Sequence, residues 1–330
     1  MMATEHNLHH EEIMKKRYLF IMLIVLSIVS IFIGVKEVNL ADILHWNQEK
    51  MQIVFISRLP RLISIIVAGV SLSISGLIMQ QLSRNKFVSP TTAGTMDSAK
   101  LGVLVSLMLF TTASPLEKMF VAFVFALAGT FLFMQILKRI KFKDAIFIPL
   151  VGIMFGNIIS SITTFFAYKY DLIQNISAWL QGDFSMVMKG RYEILYLSIP
   201  LVIIAFLYAN RFTVAGMGED FAANLGMNYN RVLNIGLIIV SLISALVVLT
   251  VGMIPFLGLI IPNIASIYRG DNLKNSLPHT ALLGAVFVLA CDILGRVVIY
   301  PYEISIGLTV GVIGSGIFLY LLMRRNAYAA

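Results

Sequence analysis

Long apolar runs recur along the whole chain and are separated by shorter polar stretches. Each run approaches the ~20 residues that a helix needs to cross a bilayer. About ten such runs are present, at 18–35, 62–82, 101–113, 119–137, 145–166, 194–209, 232–251, 254–268, 279–295 and 303–323. This pattern predicts an all-α integral membrane protein with about ten transmembrane helices, organised as a single transmembrane domain over residues 1–330.

Composition supports a location in the membrane rather than in water. Hydrophobic residues make up 58% of the chain and charged residues only 13%, with a mean hydropathy of +0.88. The net charge of +8 reflects topology rather than nucleic-acid binding, because cytoplasmic loops of membrane proteins are enriched in Lys and Arg. If the runs alternate in direction, most basic clusters fall on one side. This distribution predicts that both termini are cytoplasmic, with residues 1–17 forming a cytoplasmic tail.

Motifs for chemistry on the chain itself are few. The phosphate-binding loop of ATPases is absent, so the chain does not harvest ATP on its own. The single cysteine, Cys291, lies inside an apolar run and forms no disulfide framework. Three histidines near Glu11 and Glu12 could bind a metal, but a solvated tail is the simpler interpretation; they are His6, His9 and His10.

Two helices interrupted by proline and glycine occupy matching positions in the two halves of the chain. Pro149 precedes one Gly-x-x-x-Gly pair and Pro301 precedes another, on the predicted fifth and tenth helices. Such helices at matching positions indicate a translocation pathway between two inverted repeats. Ordinary helix packing through Gly-x-x-x-Gly is the alternative. The pathway candidates are Gly152, Gly156, Asn157, Ser160, Gly307 and Gly311.

Three polar stretches separate the apolar runs. The stretch 36–57 is polar and helix-like, with Trp46 suited to a membrane interface, and it is predicted to face outward together with 167–193. The third stretch, 210–231, is predicted to face the cytoplasm. In the third, Glu219 and Asp220 begin a short alanine-rich helix, where the helix dipole favours acids, and Gly226 can end it. A compact helix of this kind can bind in a cleft of another protein. A solvated connector between two spans is the alternative.

Charged residues near the predicted membrane boundaries form three candidate pairs. Arg58 and Arg61 lie at the mouth of an apolar run, where guanidinium groups can meet an acidic partner. Asp97 and Lys100 are three residues apart on a helix, which favours either a polar contact near a pathway or gate, or a structural ion pair at the membrane edge. Asp292 lies one helical turn before Arg296 and can orient it.

Several motifs occur together in one order along nearly the whole chain. They are the Arg58–Pro90 run, Trp179-x-x-Gly182, Gly218-Glu219-Asp220 with Leu225-Gly226, the Gly252–Pro262 run, Leu277-Pro278, Asp292-x-x-x-Arg296 and Glu303-x-x-x-Gly307. In this order the chain resembles the permease subunits of type II ABC importers for iron-siderophores, haem and cobalamin. The chain departs from the common pattern after Asn85, where Lys86 and Phe87 replace the usual Pro-Leu, and at Asn263, where histidine is frequent.

The resemblance implies a fold like that of the vitamin B12 importer permease, in a bacterial cytoplasmic membrane. It implies a second permease subunit, identical or similar, two ATPase subunits below and an extracellular substrate-binding protein above. ATP and Mg would bind the ATPase, and this chain would bind no cofactor. It further implies docking of the binding protein by Arg58, Arg61 and Arg296. The implied ATPase-coupling residues are Gly216, Gly218, Glu219, Asp220, Ala222, Ala223, Leu225 and Gly226.

The cargo expected from the resemblance is a ferric siderophore moved inward by alternating access. The 89–100 stretch resembles a branch associated with catecholate siderophores. Haem or cobalamin carried by the same kind of permease is one alternative. A secondary transporter driven by an ion gradient is another, with Asp292 as the carboxylate that would couple the ion. No arrangement of nucleophile and base, or of metal ligands, favours an enzyme.

Overall fold

The computed structural model describes residues 16–34, 36, 48–139, 147–185, 187 and 192–329, and the regular structure in these ranges is helical. The histidine cluster near the N-terminus, most of the 1–17 tail and Trp46 lie outside the described residues. Extended pairing in the described ranges is limited to an isolated bridge between Gln181 and Met253. The predicted all-α class is therefore confirmed.

The helices follow one another along the chain with short connections. In order they are α1 (Lys16–Phe32), α2 (Gln48–Ile53), α3 (Leu59–Leu82), α4 (Thr95–Leu109), α5 (Pro115–Arg139), α6 (Phe147–Lys169), α7 (Ile173–Leu180), α8 (Ser198–Gly216), α9 (Glu219–Asn224), α10 (Tyr229–Val251), α11 (Leu257–Arg269), α12 (Leu273–Val297) and α13 (Ile306–Ala329). The short helices α2, α7 and α9 lie within the three predicted polar stretches.

Seven helical stretches in the described part of the chain are long and apolar enough to cross a membrane. They are Gln48–Leu82, Pro115–Leu137, Phe147–Lys169, Glu193–Gly216, Tyr229–Val251, Leu273–Val297 and Ile306–Met323. The other three predicted runs overlap α1, α4 and α11, which are 17, 15 and 13 residues long. The chain is thus a multi-pass helical membrane protein, while the number of ten crossings stays a prediction.

The boundary predicted before residue 62 is wrong, because α2 continues into α3 without a break. Residues Val54–Arg58 form a π-helical segment that joins the two helices. Pro60 occupies the first turn of α3, where its missing N–H and its ring interfere with regular α-helical bonding to the preceding turn. The wider π turn accommodates this interruption and keeps the helix running. The polar stretch 36–57 therefore ends inside a helix.

Helix α3 is the centre of the bundle. It is buried along most of its length and packs against α8, α10, α11 and α12. A helix that is apolar on all sides is typical of such a central position. Gly76 allows the closest approach, since a Cβ there would lie 1.9 Å from the carbonyl oxygen of Gly258 in α11. Helices α5, α6, α8 and α13 surround this core and expose most of their surface.

Candidate transport path and coupling surfaces

Two arginines bind the C-terminal end of α1. Arg58 donates to the carbonyl oxygens of Ile31 and Lys36. Arg296 donates to the carbonyl oxygens of Ser30 at 3.0 Å and Ile33 at 2.9 Å. The last carbonyls of a helix have no partner within the helix and carry partial negative charge, so cations stabilise them. The two guanidinium groups therefore fasten α1 to the rest of the bundle.

Arg61, Asp292, Arg296 and Glu303 form an ion-pair cluster beside this helix end. Asp292 lies 2.8 Å from Arg61 and 2.7 Å from Arg296, and Arg61 also lies 2.7 Å from Glu303. The side chains of Asp292 and Arg296 are 2% and 4% exposed. Two arginines and two carboxylates balance in charge, which is what makes burial of the group tolerable. The expected contact between Asp292 and Arg296 is present as an ion pair within one helical turn.

The three arginines expected to dock a binding protein thus lie together but already have partners inside the chain. Arg58 and Arg296 are buried, whereas Arg61 and Glu303 reach the surface of the cluster with side chains 13% and 27% exposed. Docking through these arginines stays a prediction, and it would have to compete with internal contacts. Sequence reasoning missed Glu303 as an ion-pair partner, because it noted that residue only as part of a motif.

The predicted coupling segment, residues 216–226, folds as expected from its sequence. Glu219 and Asp220 occupy the first turn of α9, and Gly226 follows its end at a φ of +73°. The amides of Gly226 and Met227 bond back to Ala223 and Ala222 at 2.9 and 3.0 Å. A residue in the left-handed region at this position is a common helix terminator. The predicted start and stop of the short helix are confirmed.

The residues exposed on the predicted coupling segment differ from those expected to contact the ATPase. Ala222 is fully buried against the bundle, because α9 packs on α8 and α10. The outward apolar residues are Met217, Phe221 and Leu225, each about half exposed or more. Phe221 and Leu225 are one turn apart and share a face of α9, whereas Met217 ends α8 and is separated from them by Gly218, whose backbone is not helical. Sequence reasoning passed over Met217 and Phe221, although large apolar residues in a polar stretch were the available signal.

The glycines predicted on the pathway pack closely against neighbouring segments of the bundle. A Cβ at Gly156 would lie 2.4 Å from an oxygen of Asp97, and Gly152 lies beside Gly94. On α13, Gly307 packs on Gly182 and Met253, and Gly311 faces Pro255. Asn157 is exposed and Ser160 is half-buried on α6. The structure therefore gives the glycines packing contacts and leaves Asn157 as the accessible polar group.

A cavity of about 360 Å³ lies between the starts of α4 and α11. Asp97 in the first turn of α4 lines it, opposite Phe256 and Gly258. Asp97 also interacts electrostatically with Lys100 on the same helix. Asp97 thus lies at the junction of α4 with α6, beside Gly156 on a helix predicted to line the pathway.

Three segments distant in sequence meet in one backbone junction, formed by residues 180–183, 251–253 and 307. The amide of Met253 donates to the Leu180 carbonyl at 2.9 Å, and the amide of Gly307 donates to the Gly182 carbonyl at 3.0 Å. A Cβ at Gly182 would lie 2.1 Å from the Met253 carbonyl oxygen. Glycine is therefore required at residue 182 by lack of space. The Trp179, Gly252 and Glu303 motifs converge here.

The fold and its buried helical core define a multi-pass membrane protein. The FecCD transport family matches residues 22–324, and the chain belongs to that family. It is 73% identical over 316 residues to the petrobactin import system permease protein YclN of Bacillus subtilis (strain 168), covering 96% of this chain and 100% of that protein.

More distant relatives extend the comparison. The ferric-anguibactin transport system permease protein FatD of Vibrio anguillarum (strain ATCC 68554 / 775) is 42% identical, over 89% of this chain and 94% of that protein. A solved structure described as an inward-facing metal-chelate type ABC transporter shares the fold, with a TM-score of 0.82 and 23% identity over 94% of this chain and 98% of that chain.

Proposed function

We propose that this chain is the permease subunit of an ATP-driven importer that carries a ferric siderophore of the petrobactin class into the cytoplasm. The observation that carries this proposal is the 73% identity to a petrobactin import permease over that protein's full length. A catecholate-type cargo also agrees with the 89–100 stretch. Haem and cobalamin have weaker support, since the vitamin B12 import permease BtuC of Vibrio cholerae (serotype O1, strain ATCC 39315 / El Tor Inaba N16961) is 27% identical.

The proposed topology has ten crossings, two inverted repeats and both termini in the cytoplasm. Helix packing supports the repeat. Helix α3 packs on α11 and α12, and α10, its counterpart in the second half, packs on α5 and α4. This exchange of partners is expected when two halves are related by a two-fold axis in the membrane plane. The short helices α4 and α11 also correspond, each beginning after a residue with positive φ.

The proposed assembly contains a second permease subunit, two ATPase subunits that bind ATP and Mg, and an extracellular binding protein. On the cytoplasmic side, the ATPase would seat on the exposed apolar residues Met217, Phe221 and Leu225. Exposed apolar residues in a row mark protein contacts more often than isolated ones do. On the outer side, Arg61 and Glu303 are the accessible members of the ion-pair cluster and would meet the binding protein.

The proposed pathway runs beside α6 and α13, between this subunit and the second permease. The predicted pathway glycines of both helices contact the bundle, and each helix also exposes large apolar residues, among them Ile153, Ile158 and Val312. Asn157 is also exposed on α6 and offers a polar contact to cargo. Alternating access would then open and close the space between the two permeases, driven by the ATPases through the coupling segment.

The alternative of a secondary transporter is not favoured by the ion-pair cluster. Asp292 is the carboxylate that such a mechanism would use, but it lies within 2.8 Å of two guanidinium groups. A coupling ion would therefore have to displace a guanidinium group from this carboxylate.

Iron uptake in cells tests the proposed cargo. A bacterial host without its own siderophore permeases would express this chain with its cognate ATPase and binding protein. Uptake of ⁵⁵Fe from ferric petrobactin is expected, and unlabelled ferric petrobactin should compete better than ferric citrate or a ferric hydroxamate. Equal competition by the hydroxamate would contradict the petrobactin-class assignment.

A further inference from the structure

The last turn of α3 ends on an arginine in a conformation that normally favours glycine. Arg84 has a φ of +48°. The amide of Asn85 donates to the Gln80 carbonyl at 3.1 Å and the amide of Arg84 to the Gln81 carbonyl at 3.2 Å, which closes the helix. Glycine is the usual residue at this position, because a side chain is strained in the left-handed region. An arginine held there against this preference indicates a role for its side chain.

The Arg84 side chain lies on the start of the coupling segment. A Cβ at Gly218 would lie 2.9 Å from Nη1 of Arg84, and Gly218 itself has a φ of +116°. Arg84 and Glu219 both interact electrostatically with Tyr229 at the start of α10. The guanidinium group thus sits where α8 passes into α9.

Gln81, one turn earlier on α3, makes a second contact with the same segment. Its amide nitrogen would lie 2.0 Å from a Cβ at Gly216, so the glutamine occupies the space that a side chain there would need. The same nitrogen lies 3.5 Å from the carbonyl oxygen of Thr213. Two side chains from the end of α3 therefore touch residues 213–218.

The chain that follows Arg84 connects this contact to α11 and α6. The carbonyl oxygen of Lys86 accepts a hydrogen bond from Asn263 of α11 at 2.8 Å, and Lys86 forms an ion pair with Asp271. Further on, Pro90 packs on Gly258, and Gly94 packs on Phe155 of α6. These contacts link the last turn of α3 to a short helix beside the cavity and to a helix of the proposed pathway.

We propose that Arg84 is a positioning residue that transmits movement of the coupling segment to the end of α3 and onward through residues 85–94. The inference rests on the proposed function, because it assumes that the ATPase moves the coupling segment. Arg84 needs no contact with cargo or nucleotide in this role. Loss of the side chain would leave ATP hydrolysis in place but disconnect it from transport.

The test uses Arg84→Gly and Arg84→Ala in the complete importer, assembled with its ATPase and binding protein. Arg84→Gly removes the side chain and relieves the backbone strain, so its thermal unfolding midpoint is expected to equal or exceed that of the wild type. Iron taken up per ATP hydrolysed is expected to fall by about fivefold or more, within the range of typical coupling energies. Arg84→Ala keeps the strain and should lose coupling equally.

Asp171→Gly is the matched control, because Asp171 ends α6 in the same way. Its φ is +54°, its amide bonds to the Tyr168 carbonyl, and the next amide bonds to the Ala167 carbonyl. The first turns of α6 lie beside Gly94, at the end of the segment that follows Arg84, so Asp171 at the far end of this 23-residue helix is remote from the Arg84 contact. Asp171→Gly should therefore keep the wild-type ratio of uptake to hydrolysis.

Two results would overturn the inference: an unchanged ratio in Arg84→Gly, or an equal loss in Asp171→Gly. A failure of the proposed function would show differently, as a wild-type importer that takes up no ferric petrobactin with ATP. If the wild type and the Arg84→Gly variant both couple iron uptake to ATP hydrolysis, only the role of Arg84 is rejected.

Discussion

The Asp292 carboxylate lies 2.8 Å from the guanidinium group of Arg61, 231 positions earlier in the chain. This ion pair joins α12 to α3 at the end of the bundle where α1 is bound by Arg58, which directly precedes α3, and by Arg296 of α12. One buried carboxylate therefore stands at the centre of the contacts that fasten three helices together.

Asp292→Asn is expected to destabilise the protein strongly. The amide would keep the size of the side chain but leave Arg296 buried without a counter-charge, which costs about 3–5 kcal/mol when a buried pair is broken. Thermal unfolding in detergent would measure the effect. Asp271→Asn is the control, because its ion pair with Lys86 is largely exposed and such pairs contribute only about 0–1 kcal/mol. Similar effects of the two variants would show that the cluster is not the main fastening of α1.

Phe221→Asp is expected to weaken binding of the ATPase while the permease remains folded. The substitution places a charge in the exposed apolar face of the coupling segment, where contact with a partner would have to desolvate it. Co-purification of the ATPase with the permease gives the measurement. Asn224→Asp adds the same charge on the same helix without removing apolar surface, and it should bind the ATPase nearly as well as the wild type. Equal binding by all three proteins would place the ATPase contact elsewhere.

Gly182→Ala is expected to destabilise the protein by about 1–3 kcal/mol, as overpacking in a close contact does. The added methyl group would collide with the Met253 carbonyl and separate the three segments of the backbone junction. Gly316→Ala on α13 has open space around it and should be neutral or slightly stabilising, because alanine favours a helix over glycine by about 1 kcal/mol. If the unfolding midpoint falls equally in both variants, the close contact at the backbone junction does not account for the loss of stability.

Arg61→Gln is expected to reduce the affinity of the binding protein by at most about fivefold, because a partly exposed ion pair contributes about 0–1 kcal/mol. The loss should be larger at low salt than at physiological ionic strength, where charges are screened over about 8 Å. Lys169→Gln removes an exposed cation near the end of α6 and serves as the control. If Arg61→Gln binds like Lys169→Gln at low salt, the arginine acts only inside the chain.

Sequence alone predicted the helices well, because a membrane helix needs a long apolar run that is easily read. It also predicted the ends of α9, where acids and a glycine occupy their preferred positions. The continuous helix through Arg58 was not predictable, since a proline normally signals a break and the π turn that absorbs it has no simple pattern.

Only some of the ion-pair partners of the arginines could be predicted from the sequence, for a different reason. Asp292 and Arg296 are one turn apart, so their pairing follows from helical spacing. Arg61 and Glu303 are brought together only by the packing of helices that are distant in sequence. The burial of Ala222 likewise depends on how α9 rests on α8 and α10, which the composition of a short helix does not determine.

The central claim is that ATP hydrolysis by a separate subunit drives ferric siderophore through this permease. The most direct measurement is ⁵⁵Fe uptake into proteoliposomes that contain the permease with its ATPase, with the binding protein and ferric petrobactin on the outside. Uptake is expected with ATP and Mg inside. It should persist when ion gradients are removed, and an imposed ion gradient should not replace ATP. Uptake driven by an imposed proton or sodium gradient without ATP would contradict the account.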